Sequence, residues 1–188
     1  MKSGTRALGV AESYQGDAST FAGAVVRASR IADGFSFTSC TVGGLDSTAA
    51  VVDCYQQLGR EDVQYVFVSG IAPAWFNVVD LHTVHDAVSR PVLSVSFEAS
   101  EGLEAAIRRE FSDDERDRRL ARYERQPDRE SVPVNDEQVF VRAVGCENPK
   151  EVVRAFTPEG GRPEPLRVAR LAARAADRRK GAGDDSGL

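Results

Sequence analysis

Lysine and cysteine are both scarce in this chain of 188 residues. The sequence has three lysines, so 21 of its 24 basic residues are arginine. Its three cysteines are odd in number and widely spaced, which argues against a disulfide framework and predicts free thiols in a reducing cytoplasm. Because no CxxC pair occurs, the sequence also argues against a structural zinc site.

Long apolar runs and the common catalytic motifs are missing too. No run of about 18 apolar residues occurs, which is the length that a spanning helix needs. The first ten residues lack the apolar stretch and cleavage site of a signal peptide. P-loop, GxGxxG, HExxH and GxSxG patterns are absent, so common nucleotide-dependent and hydrolase chemistries have no support in the sequence. We expect a cytoplasmic protein with no membrane partner.

Charge is abundant and weighted towards acid. The net charge is -5 and the sequence pI is about 5.2. An acidic, lysine-poor surface is typical of a protein kept in solution at high salt, so we predict a halophilic source. The acidic excess argues against phosphate binding by the whole surface, although it leaves room for a local basic patch or a bridging metal.

The first half of the chain changes its rhythm after Val42. Short Gly- and Asp-containing links separate the first three predicted strands, which therefore form an antiparallel meander: Ala7–Ser13, Thr20–Ala28 and Phe35–Val42. Strands and helices then alternate, which is typical of parallel strands joined by crossover helices. These later elements are predicted as helix Ala49–Leu58, strand Val63–Val68, helix Phe76–Val88 and strand Pro91–Phe97.

The second half is predicted to be mostly helical. Its elements are helix Glu101–Glu124, a loop or insertion at Gln126–Asn135, strand Val139–Val144, helix Pro149–Phe156 and helix Pro165–Lys180. Together the halves predict a single α/β domain over residues 1–180, followed by a disordered tail over residues 181–188. Its sheet is mixed, with an antiparallel meander followed by parallel βαβ strands and helices on both faces.

Two acidic residues stand at predicted ends of strands. Glu12 ends the first strand, where a carboxylate can hold Mg²⁺ together with waters and substrate phosphates; it can equally extend into solvent. Asp46 follows Gly43-Gly44, at the position that caps the next helix, and a metal-ligand role is geometrically open to it as well. The helix cap is the role we expect for Asp46.

The segment Ser69–Asp80 joins a parallel strand to the next helix, a place where open α/β sheets bind ligands. Trp75 is the only tryptophan, and it can stack on a base or pack beneath the loop. Asn77 can contact nucleic acid or cap the helix. Asp80 falls in the first helical turn, where the helix dipole favours a negative charge, and it is a further candidate metal ligand.

The last helix carries an arginine stripe. Arg167, Arg170 and Arg174 recur at helical spacing, with Val168, Leu171, Ala172 and Ala175 predicted as the opposing apolar face. Such a stripe can follow a phosphate backbone or remain a solvated surface. Glu164, just before Pro165, is the fourth candidate metal ligand.

Four segments in order resemble the archaeal domain-of-unknown-function family ninety-nine: Leu8–Ser13, Val42–Thr48, Ser69–Asp80 and Pro163–Ala169. The resemblance extends from Arg6 to Arg174. It implies a fold similar to that of endonuclease V, a member of the ribonuclease H-like group. Endonuclease V cuts nucleic acid near deaminated bases with Mg²⁺ held by acidic residues, so the resemblance also implies DNA or RNA as the partner and Mg²⁺ as the cofactor.

The resemblance places three expected carboxylates on this sequence. They fall on Ala11, near Asp46 and on Ser69. Glu12 adjoins the first position, but neighbouring residues of a strand face opposite ways. Three hypotheses therefore stay open: a divergent Mg²⁺-dependent nuclease that uses Glu12, Asp46 and either Asp80 or Glu164; a non-catalytic nucleic-acid or nucleotide binder; and a partner-binding module.

Overall fold

The computed structural model describes the backbone of residues 1–184 and the side chains of residues 1–180. Seven strands form one sheet in the order β3-β2-β1-β4-β5-β7-β6. The strands are β1 (Arg6–Tyr14), β2 (Ala18–Arg27), β3 (Ala32–Thr41), β4 (Val63–Ser69), β5 (Val92–Ser96), β6 (Glu130–Val134) and β7 (Glu137–Val144).

Strand pairing confirms the predicted mixed sheet. β1, β2 and β3 form an antiparallel meander, whereas β1 pairs with β4, and β4 with β5, in parallel. β7 then pairs antiparallel with β5 and with β6. β1 consequently lies between the meander and β4, as the change from hairpin links to crossover helices predicts.

Helices cover both faces of the sheet, as predicted. They are α1 (Ser47–Leu58), α2 (Pro73–Phe76), α3 (Leu81–Val88), α4 (Glu104–Glu110), α5 (Asp113–Glu124), α6 (Pro149–Ala155) and α7 (Glu164–Asp184). The predicted tail over residues 181–188 thus overlaps the last helical residues, and residues 185–188 lie outside the described part. No helix of the described residues is long and apolar enough to cross a membrane.

Two apolar cores lie on opposite faces of the sheet. On the α1 face, Leu8 and Val10 of β1 pack with Val51 of α1 and Val84 of α3. On the α7 face, the core contains Ala7, Phe67, Phe156 and Leu166. Burial on both faces explains why β4 carries apolar residues at successive positions, Val66, Phe67 and Val68, rather than at alternating ones.

The predicted helix Phe76–Val88 begins five residues late. α3 starts at Leu81, and Asp80 caps it by accepting hydrogen bonds from the backbone N–H groups of His82 and Thr83. Ala74, Trp75 and Phe76 before it have positive φ angles of 47°, 55° and 59°. Such left-handed backbone cannot continue a right-handed helix, so the turn α2 is separated from α3.

Two further predictions in the second half are wrong. The helix over Glu101–Glu124 is divided into α4 and α5, because Ser112 is extended and Asp113 has a φ of 50°. The segment Gln126–Asn135, predicted as a loop, contains β6. Pro133 is tolerated there because β6 is the edge strand, where a missing N–H donor breaks no interior ladder.

The apolar face of α7 also differs from the predicted one. Leu166, Ala169 and Ala173 are fully buried against the sheet, whereas Leu171 is 54% exposed. Small residues face inward because α7 approaches the backbone of β1 closely at Gly9. The close approach at Gly9 favours small residues such as Ala169 and Ala173 on the buried stripe, which also carries Leu166.

Candidate nucleic-acid interface

Five strands end at one edge of the sheet, here called the carboxyl edge. β1, β4 and β5 are parallel, and β3 runs in the same direction because β2 is antiparallel to both β1 and β3. β6 also runs in this direction, because β7 is antiparallel to both β5 and β6. The loops after these strands therefore meet at this edge. Ligands of open α/β sheets bind outside the carboxyl ends of the strands.

Alternation along β1 separates its last residues onto two faces. Leu8 and Val10 pack on the α1 face, so Glu12 is directed to that face as well. Ala11 packs against Ala169 of α7, and the hydroxyl of Ser13 donates a hydrogen bond of 3.0 Å to Asp177 of α7. Glu12 is consequently on the opposite side of the sheet from the carboxylate position that Ala11 vacates.

Glu12 retains a carboxylate oxygen for a ligand. Its side chain is partly exposed, and Oε2 accepts a hydrogen bond of 2.8 Å from the hydroxyl of Ser19 on β2. Within residues 1–180, Oε1 has no hydrogen-bond or ion-pair partner. Glu12 can therefore bind a cation or a donor group through one oxygen.

Asp46 occupies the N-cap position of α1, but its side chain makes no cap hydrogen bond, so the expected capping role is wrong. Its carboxylate instead accepts from the backbone N–H of Thr41 at 3.0 Å, from the Thr41 hydroxyl at 3.0 Å and from the Asn77 amide at 2.7 Å. Burial opposes ionisation, yet these hydrogen bonds lower the pKa of Asp46 below its usual value. The ionised carboxylate of Asp46 therefore holds the loop between β3 and α1 in place.

Glu12 and Asp46 both lie near the thiol of Cys40. This thiol is 5% exposed at the end of β3. Burial, followed by the negative charges of Asp46 and Glu12, raises its pKa to about 12. Both carboxylates therefore act on one buried thiol from the α1 face, and Cys40 itself is protonated and unreactive at neutral pH.

Asn77 connects the two loops of the site. It is fully buried, and its amide nitrogen donates to the Thr41 carbonyl at 2.9 Å as well as to Asp46. Its amide oxygen accepts from the backbone N–H of Ser47 at 3.0 Å, and its carbonyl accepts from the Ser47 hydroxyl at 2.7 Å. The structure thus places Asn77 beneath the site, where its polar groups form hydrogen bonds with other residues of this chain.

Trp75 is displayed at the surface by the left-handed turn α2. Its side chain is 46% exposed and packs against Phe76 and Phe111, with ring centroids 5.7 Å and 5.1 Å away. It also covers Gly43, where a Cβ atom would lie 2.8 Å from the indole ring. Three consecutive left-handed residues cost free energy, so the surrounding contacts hold this turn in place.

Asp80 and Glu164 each form an ion pair with an arginine. Asp80 caps α3, accepts from Thr83 at 3.0 Å and pairs with Arg125, which directly follows α5. Glu164 forms a two-bond ion pair with Arg167 at 2.6 and 2.7 Å. The hydrogen bond from Arg167 lowers the pKa of Glu164, with a smaller contribution from the charge of Arg30, in the turn between β2 and β3 at the opposite edge of the sheet. Both carboxylates are therefore committed to structural ion pairs.

The predicted arginine stripe is divided in two. Arg167 is neutralised by Glu164, whereas Arg170 and Arg174 lie close enough to Arg162 to lower its pKa, after burial, which is the larger cause. Arg162 is stacked on Phe97, with 3.7 Å from its guanidinium carbon to the ring centroid. Sequence reasoning missed Arg162 because it precedes α7 and is outside the helical spacing.

A separate cavity of about 260 Å³ lies on the α1 face at the ends of β4 and β5. Gly70, Ser94 and Ser96 line it together with Arg129 and Arg142. Ser94 is 3% exposed, and Arg129 is held by the hydroxyls of Ser96 and Ser100. No sequence pattern indicated this cavity, since its two arginines come from the segment predicted as a loop and from the late strand.

The carboxylates at the carboxyl edge do not amount to a preformed metal cluster. Across the described residues, no group of three or more His, Cys, Asp or Glu side chains is arranged to hold a metal ion. Ala11 and Ser69 supply no charge, and Asp46 is already bonded to Thr41 and Asn77.

Comparison with known proteins places this chain in a family. The family model for endonuclease dU matches residues 3–177. A UPF0215 protein of Pyrobaculum aerophilum is 32% identical over 175 residues, which cover 90% of this chain and 92% of that protein.

Solved structures show the same fold. A protein of unknown function from Archaeoglobus fulgidus superposes with a TM-score of 0.78 at 24% identity, covering 91% of this chain and 97% of that one. Endonuclease V of Ciona intestinalis, crystallised with an inosine-containing DNA, superposes with a TM-score of 0.60 at 13% identity, covering 93% of this chain and 86% of that one. The chain therefore belongs to the endonuclease dU family and has an endonuclease V-like fold.

Proposed function

We propose that this protein binds DNA or RNA along the carboxyl edge of its sheet, and that it cleaves the bound nucleic acid slowly or not at all. The observation that carries the proposal is that Glu12, Asp46 and the Ser69–Asp80 loop meet at the edge where five strands end. This is the edge at which open α/β folds bind ligands. The nucleic-acid complex of the Ciona endonuclease V supports the choice of partner.

The residues present fit one Mg²⁺ ion held mostly by water, and they do not fit a two-metal centre. Mg²⁺ is commonly bound by one or two carboxylates with waters and substrate phosphates. Glu12 offers one unbonded oxygen, and Asp46 would have to share oxygens that already accept hydrogen bonds. When bound by these two residues, such an ion would neutralise phosphate charge and polarise a phosphoryl oxygen.

Trp75 and a high-salt setting also support the proposal of nucleic-acid binding. A tryptophan that is 46% exposed beside the carboxyl edge can stack on a base of any sequence, and a stacked base contributes about 1–3 kcal/mol. The acidic, arginine-rich composition supports a halophilic, cytoplasmic setting, where high salt weakens phosphate contacts and stacking gains relative weight.

Metal-dependent hydrolysis is the second candidate function, favoured by the free oxygen of Glu12. A direct experiment incubates the purified protein at several salt concentrations, with Mg²⁺ or Mn²⁺, with DNA containing deoxyuridine or deoxyinosine and with structured RNA. Binding is measured by fluorescence anisotropy and cleavage by gel electrophoresis. We expect measurable binding of at least one substrate and little or no cleavage.

Matched variants separate the two functions. Glu12→Gln removes the free carboxylate at the site, and Glu61→Gln removes an exposed carboxylate in the turn before β4, at the opposite edge. Rapid metal-dependent cleavage that Glu12→Gln abolishes and Glu61→Gln leaves intact would replace the binding proposal with a nuclease. Absence of both binding and cleavage would refute the nucleic-acid proposal and leave the partner-binding module.

A further inference from the structure

Three arginines gather on the α7 face without a carboxylate to neutralise them. Arg162 precedes α7, and Arg170 and Arg174 are on the helix, one turn apart. Burial, followed by the positive charges of Arg170 and Arg174, lowers the pKa of Arg162. Within residues 1–180, none of the three takes part in an ion pair or donates a side-chain hydrogen bond. Their mutual repulsion is therefore uncompensated inside the protein.

Arg162 is held in an orientation suited to an oxyanion. Its guanidinium is stacked on the ring of Phe97, the residue that follows β5 directly. Stacking occupies the flat face of the guanidinium and leaves its N–H donors for partners in the plane. Nη1 of Arg162 is buried and has no acceptor, although the residue as a whole is partly exposed. A buried charged donor without an acceptor is destabilising, so an acceptor is missing from this cluster.

The cluster adjoins the carboxyl edge. Ala169, next to Arg170, packs against Ala11 near the end of β1, and Phe97 marks the end of β5. Glu164 of α7 pairs with Arg167, and Asp177 accepts a hydrogen bond from Ser13 of β1. Among the described side chains, neither of these helix acids forms an ion pair with Arg170 or Arg174.

We propose that Arg162, Arg170 and Arg174 form a phosphate-binding site. Planar guanidinium groups match the oxygens of phosphate in pairs of parallel hydrogen bonds, and a dianion or phosphodiester supplies both the missing charge and the missing acceptor. The proposal rests on the proposed function for the source of that phosphate, a nucleic-acid backbone on the α7 side of the edge. Free inorganic phosphate has the same chemistry and is distinguished by the test.

The first measurement is thermal unfolding of the full chain in sodium chloride and in sodium phosphate of equal ionic strength and pH. The wild-type protein should unfold at a higher temperature in phosphate. Arg162→Gln and Arg170→Gln should lose most of that gain. Arg178→Gln removes the same charge from an exposed position of the same helix and should keep it. In chloride, Arg170→Gln should unfold no earlier than wild type, because it relieves repulsion.

The second measurement is the affinity for a single-stranded oligonucleotide as a function of salt. Arg162→Gln and Arg170→Gln should each weaken binding roughly 5- to 10-fold and reduce the slope of log affinity against log salt by about one, as expected for a lost phosphate contact. Arg162→Lys, which keeps the charge but loses the planar donor pair, should fall in between. An intermediate affinity of Arg162→Lys would show that the loss in Arg162→Gln comes from the missing phosphate contact and not from misfolding.

Each outcome either identifies the source of the phosphate or refutes the proposed site. Loss of both phosphate stabilisation and oligonucleotide affinity supports a backbone site. Loss of phosphate stabilisation with unchanged oligonucleotide affinity supports a site for free phosphate and counts against the nucleic-acid role of this face. If Arg162→Gln and Arg170→Gln behave like Arg178→Gln in both measurements, the site does not exist.

Discussion

Gly9 of β1 lies directly beneath Pro165 of α7, so closely that a Cβ atom on Gly9 would be 2.2 Å from both the carbonyl carbon and the carbonyl oxygen of Pro165. No real side chain tolerates such a contact with backbone. The pair fixes how near α7 approaches the centre of the sheet, and hence where Arg170 and Arg174 stand relative to the end of β1.

Replacing Gly9 by alanine is therefore expected to destabilise the fold by about 3 kcal/mol, the upper end of the usual cost of overpacking. The helix must move away from β1, which uncovers Leu166 and Ala169. Chemical unfolding of wild type and variant, followed by circular dichroism, measures the change. Gly16→Ala is the control, because nothing lies within 4 Å of its added Cβ atom and its stability should change by less than about 0.5 kcal/mol. Equal effects of the two substitutions would contradict the role of the Gly9 contact.

Asn77→Ala should cost about 3 kcal/mol, since it leaves the buried N–H of Ser47 and the carbonyl of Thr41 without their partners. The same substitution at Asn148, an exposed side chain that makes no cap hydrogen bond, should have little effect. Unfolding midpoints in urea compare the two variants. A small loss at Asn77 would mean that water replaces its hydrogen bonds and that the two loops of the site are held by other contacts.

Asp33 gives the protein a defined response to acid. Its hydrogen bond with Arg27, followed by that with Arg6, lowers its pKa from 3.8 to about 2. A depressed pKa in the folded state stabilises the protein above the unfolded value, and this contribution is lost as the pH falls from about 4 towards about 2. Asp33→Asn should therefore be less stable than wild type at pH 7, and the difference should shrink across that window.

Urea unfolding of both proteins at neutral pH and at several values within this window tests the prediction. Asp53→Asn, an exposed carboxylate on α1, should differ little from wild type at any pH. A gap between wild type and Asp33→Asn that stays constant down to pH 2 would show that the ion pair with Arg27 does not control acid stability.

Trp75→Ala should weaken nucleic-acid binding roughly 10-fold or more, the loss expected for one stacked base. Trp75→Phe should retain much of the affinity, because phenylalanine keeps an aromatic face. Phe35→Ala is the matched control: Phe35 is 50% exposed but lies on the α7 face of the sheet, where it lines a groove with Ala172 and Ala175. If Phe35→Ala weakens binding as much as Trp75→Ala, the nucleic acid does not bind at the carboxyl edge.

Elements with a strong local signal were predictable. Gly- and Asp-containing links identified the meander, and the alternation of apolar strands with helices identified the parallel pairing of β1, β4 and β5. Elements that depend on distant contacts were not. Pro133 argued for a loop, because the sequence does not show that β6 is an edge strand. The left-handed turn at Ala74–Phe76 has no glycine to announce it.

The candidate site shows the same division. Glu12, Asp46 and Trp75 were identifiable as acidic or aromatic residues at strand ends. Their roles were not, because Asp46 bonds to Thr41 and Asn77 rather than capping α1, and Glu12 is directed to the α1 face. Arg162 was missed because its neighbours Arg170 and Arg174 are assembled only by the packing of α7.

The sequence by itself determined the meander and the parallel strands of the first half, the family and the shortage of carboxylates at Ala11 and Ser69, since these follow from residue identity and local pattern. Only the tertiary structure decided which stripe of α7 is buried and which arginines meet. A helix of mixed Ala, Leu and Arg offers several apolar faces of similar hydrophobicity, and the close contact of Gly9 with Pro165 sets how the helix lies on the sheet and so which face is buried.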